Sequence, residues 1–223
     1  MALRRSRRRR DEAGSADGPA ETSAQEPPAG SGTGPWDKAH APQDDLERLD
    51  LGALRVPVVP GYDVQVEVSP EGQVVSINLL GPGGGMQLGA FAAPKSSGIW
   101  ADIRREILTG ISSQGGTGQE SEGAFGPELS VLAPVPGGHQ RLRFIGVDGP
   151  RWFLRAVLSG PAATDAAQAA DLEDTLRRVV VDRGDAPMPV RDALPLVLPK
   201  EIAEQIAEQD GSAPDPPDGA PGA

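Results

Sequence analysis

Cysteine is absent from this 223-residue chain, histidine occurs twice, lysine three times, and aromatic residues make up only 4%. Without cysteine there are no disulfides, zinc-thiolate sites, iron–sulfur clusters or cysteine nucleophiles. His40 falls in an N-terminal arm and His139 in a Gly137–Gly138 loop. They are too far apart for a HExxH-type metal site, and neither lies on a rigid element that would hold a general base. No metal, cofactor or catalytic residue is therefore expected, and the chain reads as a non-enzyme. No long apolar run is present either: MALRRSRRRR leads into polar, proline-rich sequence, which is neither a signal peptide nor a membrane span. Arg4 and Arg5 do not make a twin-arginine export signal, and the expected location is cytoplasmic.

With lysine limited to Lys38, Lys95 and Lys200, the positive charge is almost all arginine. Six of the 21 basic residues (Arg4, Arg5, Arg7, Arg8, Arg9 and Arg10) fall in the first ten positions, where there is no acid, leaving fifteen to face 32 acidic residues. The net charge of −11 thus combines a cationic tail with an acidic body. Such a tail can attract nucleic acid or anionic lipid by releasing counterions, or simply stay solvated. No aromatic residues interleave it for base stacking.

Glycine and proline are abundant, at 29 and 23 residues, and recur along the whole chain; at the two ends they mix with Ala, Asp and Glu without period. Residues 1–34 read as a disordered tail, basic then acidic, 35–200 as one domain, and 201–223 as a short helix around Ile202 and Ile206 with a loose end. Trp36 reads as an anchor pinning an arm onto the domain. Leu54, Val56 and Val58 alternate up to a turn at Pro60–Gly61, and Val64, Val66 and Val68 alternate after it. Two further runs, Val74–Leu80 and Met86–Ala92, flank a glycine-rich turn, so antiparallel neighbours on short loops are expected. Trp100, Ile103, Ile107 and Ile111 then recur at helical spacing, which predicts a helix over about 99–114 with Ser96 or Ser97 as cap. Strands follow at 119–122 and 128–135, then a hairpin over 141–159. A second helix follows, with Asp165 as cap and Leu172, Leu176 and Val179 on its buried face, and then an extended proline-rich arm. This order is α+β: a single antiparallel sheet of about six or seven strands with two main helices packed on it. It resembles the PsbP-like arrangement in element order.

Other motifs fail on context. Gly115, Gly116 and Gly118 follow a helix rather than a strand, Gly83–Gly85 lacks a phosphate-loop Lys-Ser/Thr, and Asp44, Asp45 and Asp50 read as solvated or capping carboxylates. Arg183, Gly184 and Asp185 read as a turn ending the second helix.

The hairpin carries the most information. With an odd-length loop such as Asp148–Pro150, one face collects Leu142, Phe144, Trp152, Leu154 and Leu158. The other collects Arg141, Arg143, Arg151, Phe153 and Arg155. An uninterrupted apolar face is worth roughly 1.5–3 kcal/mol per large side chain, whereas burying arginine costs desolvation, so the odd loop and a single cationic stripe are expected. The stripe has two readings: cross-strand pairing with acids such as Glu67, Glu120, Glu122 or Glu128, or an anion or partner site with Phe153 available for stacking.

The segments GPWD, LGALRVPVVPG, FGPEL, FIGVDGPRWFLRAVLSGPAA and VVVDRGDAPMPVRDALPLVLP, spanning 34–199, resemble an actinobacterial family known as domain of unknown function 3710. The resemblance implies an intracellular protein of about this length with a basic N-terminus and no assigned activity, in members often encoded near a deoxyuridine triphosphatase gene. Two function classes follow. One is a non-catalytic interaction or scaffold protein engaging an unknown protein partner; the other is a nucleic-acid-associated accessory protein using the arginine tail and the hairpin stripe.

Overall fold

Four hairpins of this chain close on two-residue loops: Gly81 pairs with Gly84, Gly123 with Gly126, Val135 with Gly138, and Gly149 with Trp152. Short loops of this kind force antiparallel neighbours. In the computed structural model, which describes residues 34–69 and 73–197, they generate an antiparallel sheet of seven strands. The expected disordered tail over 1–34, save Gly34, and the expected helix near Ile202 lie outside the described residues.

The strands, in chain order, are β1 (Trp36–Asp37), β2 (Arg48–Asp50), β3 (Leu54–Pro57), β4 (Asp63–Val68), β5 (Val74–Gly81) and β6 (Gly84–Ala92), then β7 (Thr117–Gly123), β8 (Gly126–Val135), β9 (Gly138–Gly149), β10 (Trp152–Ser159) and β11 (Val180–Val181). Two α-helices, α1 (Trp100–Ser113) and α2 (Ala166–Arg178), complete the α+β architecture. The large sheet runs β4-β5-β6-β10-β9-β8-β7. A correction concerns the first strands: β3 does not continue into it. It joins a separate sheet, β1-β11-β3-β2, in which β1 and β11 are parallel. The alternation of Leu54, Val56 and Val58 was compatible with either sheet, because Pro60 and Gly61 mark a change of direction but not a pairing partner.

The central strands of the large sheet, β6 and β10, are covered on both faces. On one, Leu79, Met86, Leu88, Ile145, Trp152, Leu154 and Leu158 pack with Leu172, Leu176 and Val179 at the α2 side and with Leu51, Leu54 and Val181 of the small sheet. On the other, Phe153, Leu129, Val131 and Ala133 pack with Trp100, Ile103, Ile107 and Ile111 of α1. Gly146 on β9 permits that approach. A Cβ there would lie 2.3 Å from the Trp100 ring, so the helix seats its tryptophan directly on bare backbone. Among the described residues no helix is long and apolar enough to cross a membrane.

The helix caps differ in origin. Asp165 accepts from the Ala167 amide at 2.8 Å and caps α2 as its position predicts. For α1 the serine cap is a misreading: the amides of Ile99 and Trp100 donate to Asp148 of the hairpin at 2.8 and 3.3 Å. Asp148→Ala should therefore cost about 1–2 kcal/mol, read as a fall in the urea midpoint at unchanged slope. An unchanged midpoint would show that α1 is held by packing alone.

The arm after α2 ties the two sheets together. Ala92 donates to Asp192, Leu194 donates to Ala90, and Val197 donates to Leu51, while Leu194 and Leu196 are buried in the first core.

Candidate functional site

The hairpin register decides where the arginines go, and the odd loop is overturned. Gly149 pairs with Trp152 and Ile145 with Ala156, so the loop is Pro150–Arg151. Pro150 is locked near −65° in φ, and Arg151 takes the left-handed φ of 62° that the next turn position demands. Leu142, Phe144, Phe153 and Arg155 therefore share one face, while Arg141 and Arg143 share the other with Trp152. The single cationic stripe does not form. Its premise was an outward face for the hairpin, yet β10 is the central strand and is covered on both sides.

Each arginine has its own fate. Arg143 is drawn inward and neutralised: its Nε donates to Glu128 Oε2 at 2.6 Å and its Nη2 to Glu173 Oε1 of α2 at 2.7 Å, and Arg177 donates to Glu173 at 3.3 Å. Burial opposes the charge on Arg143, but the two carboxylates more than offset it and hold the guanidinium above its ordinary range. Glu128 is only 3% exposed, and its Oε1 has no hydrogen-bond partner among the described residues. Arg141 stays exposed. Arg151 uses its carbonyl, which accepts from the Ala93 amide at 2.9 Å and from Arg183 Nε at 3.2 Å. Phe153 is fully buried, stacked on Trp100 with ring centroids 5.7 Å apart, so it belongs to the core under α1 rather than to an exposed cationic face. Arg155 lies over the Phe91 ring, 5.2 Å from its centroid.

Two concavities flank this hairpin. The larger, about 730 Å³, lies on the α2 side of β7, β8 and β9. By register Thr117 sits beside Leu132, Gln119 beside Ser130, and Ser130 beside Arg143, so its floor is hydroxyls, amides and Arg141. The Glu128–Arg143–Glu173 triad forms its inner end, and Thr164 with Ala166 at the start of α2 forms its wall. The outer margin is β7, with all seven residues exposed on the sheet's edge. The smaller cleft, about 260 Å³, lies under α1 on the opposite face, between Phe91, Ile103, Ile107, Phe153 and Arg155.

Sequence reasoning missed both glutamates of the triad as a pair, although Glu128 was named as one acid that could face the arginines. Glu173 gives no local signal, since it arrives from α2, 30 positions away. His40 and His139 are both exposed. Asp44 chelates Arg48 at 2.6 and 2.9 Å, and Asp50 accepts from Gly52 at 2.9 Å, so these carboxylates bind neighbours rather than converge. The arginines of the N-terminal tail lie outside the described residues.

The fold and these surfaces define an α+β protein built on a seven-stranded antiparallel sheet whose central strands are covered on both faces, with a small mixed sheet beside it and an open polar groove along one edge. Residues 34–205 match the family described as Protein of unknown function (DUF3710), and the chain belongs to that family. Comparison with curated protein sequences gives no match.

Proposed function

We propose that the chain is a non-catalytic interaction protein that takes up an extended segment of a protein partner along β7. The observation that carries this reading is the state of that strand. Thr117–Gly123 is exposed at every position, carries neither proline nor lysine, and borders the groove of about 730 Å³. Sheet edges of this kind are usually blunted, because their free amides and carbonyls template another strand. A partner added at the edge gains main-chain hydrogen bonds, and its alternate side chains enter the groove over Gln119, Ser130 and Arg141.

The opposite edge supplies the control. A photo-crosslinking residue at Gln119 should capture a defined protein from the native host, whereas the same residue at Gln65 of β4 should not. Equal capture from both positions, or capture only from Gln65, removes β7 as the docking edge.

A further inference from the structure

We propose that the cleft under α1 is a binding site for a small amphipathic monocarboxylate, with the carboxylate on Arg155 and the apolar body among Phe91, Ile103, Ile107 and Phe153. The site is separate from the β7 groove and does not depend on it, since it lies on the other face of the sheet.

Arg155 occupies an unusual place. It sits mid-strand on β10, the central strand, and its cross-strand neighbours are both glycine: Gly89 on β6 and Gly146 on β9. Neither neighbour can offer a side-chain acceptor. Trp100 lies over Gly146, and the Phe91 ring lies 3.2 Å from where a Gly89 Cβ would stand, so the glycine positions admit aromatic rings, and the Phe91 ring lies under the guanidinium. Its Nε is excluded from solvent and has no hydrogen-bond partner among the described residues. A buried donor left unmade is costly, and a ligand that supplies its acceptor recovers that cost.

The charges around it leave the role open to an outside anion. Glu67 of β4 lies on the same face of the sheet as Arg155, three strands away, but its Oε2 already accepts from Ser76 Oγ at 2.6 Å and Gln87 Nε2 at 2.8 Å. At the mouth Glu106 is held by Arg191, whose Nη1 lies 2.8 Å from one carboxylate oxygen and 2.9 Å from the other. Burial pushes the Arg155 guanidinium below its ordinary range and Glu67 only partly restores it, in keeping with a cation short of a counter-ion.

The chemistry of the lining selects the ligand class. Arg155 offers one unclaimed guanidinium fork, which matches one carboxylate; the second guanidinium on the lining, Arg191, is held by Glu106, whose own charge opposes a phosphate dianion. Apart from the Glu106–Arg191 pair at the mouth, the lining is Ile99, Ile103, Ile107, Phe91 and Phe153, which give the rest of the wall no polar group to satisfy. At about 260 Å³ the space equals about nine water volumes at ~30 Å³ each, which admits about ten non-hydrogen atoms. A carboxylic acid of about eight carbons fits that limit.

Octanoate, octanol, acetate and inorganic phosphate are the probes, titrated into the full chain by calorimetry. Octanoate should bind, with octanol and acetate each weaker by about tenfold or more, and phosphate should not displace it. Arg155→Met should weaken octanoate by about tenfold while leaving the melting temperature unchanged or higher, because it replaces a half-buried cation, its Nε shielded and unpaired, by an apolar chain of similar length. Ile107→Trp, which fills the cleft from the exposed helix, should abolish binding and serves if Arg155→Met fails to fold. The proposal is overturned if octanoate does not bind, if octanol binds equally, if phosphate displaces octanoate, or if both variants bind octanoate like the parent chain.

Discussion

Arg143→Ala will lower stability by about 3–5 kcal/mol, a fall of roughly 10 °C in Tm for a domain of this size. The effect comes less from the arginine's own contacts than from what it leaves behind. Glu128, 3% exposed, accepts its one hydrogen bond from Arg143 Nε at 2.6 Å, and after truncation its carboxylate is buried with no donor and no counter-charge. Glu173 is better placed, because Arg177 remains beside it at 3.3 Å. A double variant, Glu128→Leu with Arg143→Met, should recover most of the loss, since removing a buried ion pair together is close to neutral. Thermal unfolding of the three chains gives the answer. A single variant that loses under about 1 kcal/mol, or a double variant that simply adds its parts, would show that the triad is solvated in practice.

Trp152→Ala should cost a similar amount, about 3–5 kcal/mol, for a different reason. Trp152 is 2% exposed in the first core and its ring packs against Gly149, where a Cβ would meet it at 2.1 Å. Its Nε1 donates to Asp37 Oδ2 at 2.8 Å, which ties β1 and the arm following it to the centre of the large sheet. Trp152→Phe keeps most of the apolar area and should lose only about 1 kcal/mol for the missing donor. Urea denaturation of both separates the contributions: equal losses would mean that the hydrogen bond, not the core, carries the residue's weight.

The parts of the fold that were legible in sequence are those with one buried side. Trp100, Ile103, Ile107 and Ile111 have a solvent-facing complement, so their period of 3.6 stands out, and Asp165 precedes its own helix. β10 offers no such contrast. Trp152, Phe153 and Leu154 are all buried, as are Ala156, Val157 and Leu158, so apolar residues on both faces leave alternation nothing to report and the register rested on an assumed outer face. The correct register half-buries Arg143 on the α2 face, where Glu128 and Glu173, the latter from a helix formed later in the chain, pair with it. The Asp148 cap was invisible for the same reason, since its acceptor and the amides it serves are 49 and 48 positions apart. Of the candidate site residues, Arg141 lines the β7 groove, Arg155 and Phe153 line the cleft under α1, and Arg151 serves the turn.

The strand order β4-β5-β6-β10-β9-β8-β7 also bears on how the chain reaches this state. Strands β4 to β6 form one meander and β7 to β10 another, each closing through neighbours a few residues apart. Only the β6–β10 pairing, from Trp152 with Ala92 to Ser159 with Gly85, joins segments separated by α1 and three strands. The entropy of closing that long loop is concentrated in one event, docking of two preformed halves along a single seam. Until that seam zips, β6 and β10 are both open edges with apolar faces, so the nascent chain is most vulnerable to pairing with another copy of itself during the interval between making its hairpins and joining them.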